Sequence, residues 1–245
     1  IIKGASPSYI ALNCELFPFT SRLVRQALNY AVNKEALAKR LMDRAVPARG
    51  PLPPIARGYN PGLEGYPYNP SKAKALLAEA GFRDGFETVL WAEPGDKIAL
   101  SVQEDLRAVG VRAMLRETTW MALMESMGRR RTVPMGAIQA PPSDEPRDTL
   151  DFLLNGETIT DEWSPNMAFY SNLEVQKLLR QAATEVDQHR RISLYQRIEE
   201  MIVADAPWLF LCHSNFEMIR QPWLKGAKIY PVWPPVRLAQ AWIER

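Results

Sequence analysis

Cysteine is scarce. Cys14 and Cys212 are the only two in 245 residues, too few for a disulfide scaffold and spaced for no zinc motif. Each lies in an apolar run and reads as a buried free thiol; both are expected on strands, where they could be neighbours. Two histidines, His189 and His213, make no metal-binding cluster, so neither metal nor cofactor is expected. No window approaches the ~20 continuous apolar residues that span a bilayer. The opening Ile1-Ile2-Lys3-Gly4 has neither a charged n-region nor an apolar h-region, so the expectation is that residues have been removed upstream. Charge of one sign is missing too. Thirty Lys and Arg against 28 Asp and Glu leave +2, a field too small to argue for nucleic acid or an anionic membrane.

Catalytic signatures are also missing. There is no P-loop, dinucleotide fingerprint, nucleophile elbow or metal-binding helix motif, and no enzyme is expected. Glu199 and Glu200 are adjacent on a helix, point to different faces and cannot work as a carboxylate pair. His189 reads as a surface residue at a helix start. His213 follows an apolar run and reads as a satisfied core histidine, against a catalytic base in a hydrolase. The one dense basic run, Arg129-Arg130-Arg131, reads as solvated loop.

What remains is an ordinary globular composition, 47% apolar and 24% charged, with a clear alternation of elements. Tyr9 to Asn13 reads as a strand. A helix follows with Val24, Ala27, Leu28 and Ala31 on one face and Arg22, Arg25, Gln26 and Asn29 on the other. Asn33 can cap a second helix through Leu41, whose last turn carries Lys39 and Arg40. From Pro47 to Pro67 no period is visible. Asn69 as N-cap, Pro70 at the first helical position and Gly81 at the end frame a third helix. Phe86 to Ala92, then a helix over Asp96 to Val109, then Val111 to Arg116 is a βαβ unit, which predicts a parallel pair. Another helix runs through Trp120, Leu123 and Met127, and Met135 to Ala140 returns as a strand. Pro141 to Asp148 reads as a loop. Two longer helices centre on Leu179 and Ile198, and Trp208 to Cys212 reads as a buried central strand. Short extended pieces fill the last thirty residues, with no helix until near Ala239. The fold class is α/β, a mixed sheet flanked by helices.

The order of motifs resembles the family 5 extracellular solute-binding proteins of the peptide, nickel and opine type. Val24-Arg25-Gln26-Ala27-Leu28-Asn29-Tyr30-Ala31-Val32-Asn33-Lys34-Glu35-Ala36-Leu37 is similar to their signature. Pro51-Leu52-Pro53-Pro54, Tyr66-Pro67-Tyr68-Asn69-Pro70 and Lys72 to Phe82 are similar to the next block, and Trp120, Tyr170-Ser171-Asn172 and Asp205-Ala206-Pro207 fall in the same order. The resemblance implies one lobe of a two-lobed, class II periplasmic-binding fold: residues 1–245 as the carboxy-terminal lobe, hinge crossings near 8–14 and 207–245, and the amino-terminal lobe absent. It further implies a substrate-binding component of an ABC importer, periplasmic or cell-surface. Such a component meets a permease at the membrane, binds no nucleic acid, and is a monomer when full-length. The alternative is a solute-sensing domain of a cytosolic regulator.

The same resemblance points to ligand-binding residues. Trp120 sits where family members place an aromatic that faces ligand, the other reading being a core Trp. The strand Ala137-Ile138-Gln139-Ala140 matches the ligand-facing strand, in which peptide binders carry a Trp and an Asp that pairs with the peptide ammonium. Here the Trp position is Ala137 and the Asp position Ala140. A buried ammonium needs a charge partner, so either Asp144 has taken over or the ligand has no free amino end. The turn at Glu93 is short where peptide binders carry a loop with an Arg for the carboxylate. A sugar or an opine-like molecule then joins the peptides as a candidate.

Overall fold

The computed structural model describes residues 1–230 and 236–244. In chain order these form β1 (Ile2–Leu12), α1 (Arg22–Ala31), α2 (Lys34–Arg40), β2 (Ala45–Pro47), α3 (Pro70–Glu79), β3 (Phe86–Ala92), α4 (Lys97–Ala108), β4 (Val111–Glu117), α5 (Trp120–Gly128), β5 (Met135–Gln139), α6 (Pro146–Leu150), α7 (Leu173–Thr184), α8 (Gln188–Asp205) and β6 (Trp208–Phe216). Short bridges, Leu224–Lys225 with Trp242–Ile243 and Lys228–Ile229 with Val236–Arg237, follow in the tail.

Six strands make one sheet in the order β2-β6-β1-β5-β3-β4. β3 is parallel to β4 and β5, whereas β1 runs antiparallel to β5 and β6. The sheet is therefore mixed, as the sequence pattern predicts, and its βαβ unit gives the parallel pair. That pair starts where two glycines meet: Gly85 (φ +79°) lies so close to the Gly110 carbonyl that a Cβ would collide with it. Only glycine fits that approach.

Both sheet faces are covered, which is why β1 and β6 read as almost unbroken apolar runs. Ile10, Leu12, Leu209 and Leu211 pack with Val24, Leu28, Leu77, Val102 and Leu106 of α1, α3 and α4. Tyr9, Ala11, Trp208 and Phe210 pack on the other side with Leu123, Leu150, Leu179, Ile198 and Ile202 of α5 to α8. The caps form as the sequence dictates. Asn33, Asn69, Asp96 and Thr119 each accept a backbone N–H from the first turn of their helix.

Several expectations are corrected. Arg25 and Asn29, placed by the helical wheel on the polar face, are buried at 7% and 0% exposure. Arg25 donates to the Asp205 and Phe19 carbonyls, at 2.7 Å each. Asn29 donates to the Trp208 carbonyl (2.8 Å) and accepts from the Phe210 N–H (3.2 Å). They are satisfied polar ties between α1 and the segment Asp205–Phe210. The loop Pro141–Asp148 closes into α6, because Pro146 can start a helix at a position where its missing N–H costs nothing. Near Ala239 there is a turn, closed by Ala241 N–H to the Leu238 carbonyl, rather than a helix. Cys14 lies beyond the end of β1, whereas Cys212 is level with Ser8. Six residues of strand, roughly 20 Å at ~3.3 Å each, hold the two free thiols apart. Arg131 does not dangle in solvent. It pairs with Glu15 and Asp161, donates to the Thr160 carbonyl and covers the Phe169 ring.

The span 8–14 named above as a crossing lies mostly within the sheet, Ser8 to Leu12 being paired with β5. Beyond β5, Ile2 to Pro7 of β1 and Ser214 to Phe216 of β6 continue the sheet, paired with each other along one rim. Of the second span, 207–245, positions 231–235 and 245 lie outside the described residues.

Candidate functional site

The carboxyl ends of β3 and β5 reach the same rim as the free ends of β1 and β6, with Ser8 opposite Gln139 and Ser6 opposite Ser214. In open α/β sheets this edge is where ligands collect, because loops splay apart there and leave a crevice. A cavity of about 300 Å³ opens at this point, lined by Tyr9, the turn Glu93 to Asp96, Ile98, Trp120 and the strand Ala137 to Gln139.

Local physics positions each wall. The turn after β3 is pinned by Gly95 (φ +74°), whose N–H donates to Glu117 Oε1 at 3.1 Å. Asp96 Oδ1 accepts from Ile98 N–H (2.8 Å) and Ala99 N–H (3.1 Å), so its carboxylate caps α4. Glu93 is exposed, and its carboxylate has no hydrogen bond or ion pair among the described residues. Trp120 opens α5. The preceding turn is tied down by Thr118 N–H donating to the Ala92 carbonyl at the end of β3 (2.9 Å). Trp120 itself is 38% exposed and lines the cavity. Ala137 and Ile138 are buried small and apolar walls, while Gln139 is exposed, its side-chain amide without a hydrogen bond among the described residues. Tyr9 closes the floor, its hydroxyl held well above the ordinary tyrosine range by burial.

The structure thus brings together Glu93, Trp120, Ala137, Ile138 and Gln139. Ala140 lies behind them, in the core, with its N–H on the Pro7 carbonyl (2.8 Å). Asp144 does not join them. Its carbonyl accepts from Arg57 N–H (3.0 Å), which draws the loop after β5 toward the Pro-rich segment and away from the cavity. His213 is also out of reach, 2% exposed in the interior of β6. It is buried as expected, with the Gly50 backbone close enough to its ring to oppose the effect of burial.

Sequence reasoning missed the neighbouring cavity of about 580 Å³, which shares Asp96, Ile98 and Gln139 with the first and adds Arg40, Arg44 and Lys97. Arg40 pairs with Glu104 (2.7 Å) and Arg44 with Glu217 (3.7 Å). The rim therefore carries the Glu93 carboxylate at one end and the ion-paired Arg40 and Arg44 with Lys97 at the other, with the Gln139 amide between. Such a surface can orient a small dipolar solute by hydrogen bonds and charge. Tyr9, Asp96 and Ile98 were the detectable omissions, since each flanks a predicted element end.

Residues 2–170 match the family described as bacterial extracellular solute-binding proteins, family 5. Heme-binding protein A of Haemophilus influenzae is 33% identical over 234 residues, covering 91% of this chain and 42% of that protein. Glutathione-binding protein GsiB of Pectobacterium atrosepticum is 35% identical over 244 residues, covering 93% and 46%. Among solved structures, the periplasmic binding protein DppA of Helicobacter pylori in complex with the peptide STSA superposes with a TM-score of 0.88. It is 26% identical over 100% of this chain and 48% of that one. The chain spans less than half the length of the curated relatives it matches.

Proposed function

The chain belongs to the family 5 bacterial extracellular solute-binding proteins, and from that premise we propose that it forms one wall of a solute-binding cleft serving an ABC importer. The observation that carries the reading is the convergence of Glu93, Trp120 and Ala137–Gln139 on one concavity at the strand-end rim. The amino end of β1 and the carboxyl end of β6 lie together along that rim. A second lobe reached by the chain before Ile2 and after Phe216 would stand directly opposite the cavity. Closure of the two walls would then be driven by a ligand that touches both only when they meet.

The ligand is a peptide or another small polar solute. No acid stands at Ala137 to Ala140, so a cationic group on the solute is met by Glu93, with the Trp120 face beside it for cation–π contact. Relatives named for heme, glutathione and peptide set the range of solutes to try. They are named as binding proteins, which favours transport over a cytosolic regulator. The protein works outside the cytoplasm, as a monomer, and hands its solute to a membrane permease.

Tryptophan emission tests the reading. Titration with a panel of peptides, glutathione and opine-like acids is expected to yield at least one saturable emission change, and Trp120→Phe should abolish it. A saturable change that survives in Trp120→Phe would place the ligand elsewhere.

A further inference from the structure

Away from the rim, beside the sheet-edge strand β2, lies a cavity of about 580 Å³ lined by Pro47, Ala48, Arg49, Tyr66 and Lys34. Lys34 is 6% exposed, and its amine has no hydrogen-bond partner among the described residues. The amine lies 5.7 Å from the centre of the Tyr66 ring. Behind it, outside the cavity lining, stands His213, buried on the strand that pairs with β2 (Val46 opposite His213) and close to the Gly50 backbone. The two are close enough for the Lys34 charge to disfavour protonation of His213.

Buried polar atoms almost always have partners, and an orphan calls for a missing one. The buried Lys34 amine has donors and no acceptor among the described residues. The acids at the cavity, Glu35 and Glu64, are exposed and do not bind it. Arg49 is held by the Pro61 and Leu63 carbonyls, which leaves its charge at the mouth. We propose that this cavity binds a small monovalent anion, a halide or a simple carboxylate, seated against the Lys34 amine.

Burial pushes the Lys34 amine down to about 7, with Glu35 opposing the shift, and it pushes His213 down to about 3. An anion would restore the Lys34 proton, so binding strengthens as pH falls through neutrality. The four-carbon stem of Lys34 lets the amine swing to meet the ion without moving the backbone.

The test compares thermal unfolding of the wild-type protein and Lys34→Met in sodium chloride and in sodium formate, at pH 6.5 and pH 8.5. General salt effects are common to both proteins and cancel in the difference. Expected is a saturable rise in wild-type Tm, larger at pH 6.5 and absent from Lys34→Met; whichever salt saturates identifies the ion. Identical responses in the two proteins would overturn the site. Should Lys34→Met fail to fold, lysine-labelled wild-type protein is titrated by NMR. A lysine resonance with a near-neutral midpoint should move to higher pH as chloride or formate is added. A midpoint indifferent to both salts overturns the proposal.

Discussion

The ring of Tyr9 lies flat on the indole of Trp208, their centres 3.6 Å apart and their planes within 9°. Tyr9 is the floor of the rim cavity and Trp208 is fully buried behind it, so core packing sets the shape of the site directly. Replacing Trp208 by Ala should cost about 3–5 kcal/mol, as large-to-small core changes do, and should loosen the cavity floor as well. Urea unfolding measures the first effect. A loss below about 1 kcal/mol would mean that the stack does not hold this face together.

Glu93 and Trp120 are exposed, so substituting them should barely touch stability, within about 0.5 kcal/mol. Glu93→Gln and Trp120→Ala are each expected to weaken solute binding by roughly tenfold, corresponding to ~1.4 kcal/mol. Unchanged affinity together with unchanged stability would remove either residue from the site.

Asn29 joins α1 to β6 through two backbone groups, the Trp208 carbonyl and the Phe210 N–H. Asn29→Ala leaves both without their side-chain partner and should destabilise by about 1–3 kcal/mol. Asn29→Asp keeps the acceptor but faces the Trp208 carbonyl with a negative charge, and should do no better. Chemical denaturation of the three proteins side by side checks the order.

Glu199 is buried on α8, where its two oxygens accept from Leu52 N–H and Asn60 N–H, at 3.2 Å each. It fastens the irregular Pro-rich segment to the core. Burial is the main cause that lifts its carboxyl to about 8, with the two N–H groups opposing and Glu200 adding to the shift. The folded protein therefore keeps this proton to about pH 8, while the unfolded chain releases it near 4.5. The contribution is fully present below pH 4.5 and is lost as pH rises through 8. Glu199→Gln should cut the loss of stability between pH 5 and pH 8.5, read from denaturant midpoints at both values. Parallel losses in the two proteins would clear Glu199 of any part in it.

The helices and the βαβ unit were legible in the sequence because local chemistry decides them. Asn69 before Pro70, Asp96 before the Ile98 stripe and the Gly110 stop each carry their own structural instruction. Five cavity residues were legible because the family-like motifs sit at strand ends, where the fold must present them. What stayed hidden depends on tertiary packing. A helical wheel assigns Arg25 and Asn29 to solvent, since no local rule says that the segment Asp205–Phe210 will cover them. Likewise Asp144 lies close in sequence to β5, yet one backbone hydrogen bond to Arg57 turns its loop aside.

The central claim is that this chain supplies one wall of a two-walled cleft. Calorimetry on the 245-residue chain and on an intact two-lobed protein containing it, against the same solute, tests that claim most directly. A single wall buries too little of a ligand to hold it, so the isolated chain should bind at least ~100-fold more weakly, a difference of ~2.7 kcal/mol. Equal affinity in the two would contradict the account, because the whole site would then lie on this chain.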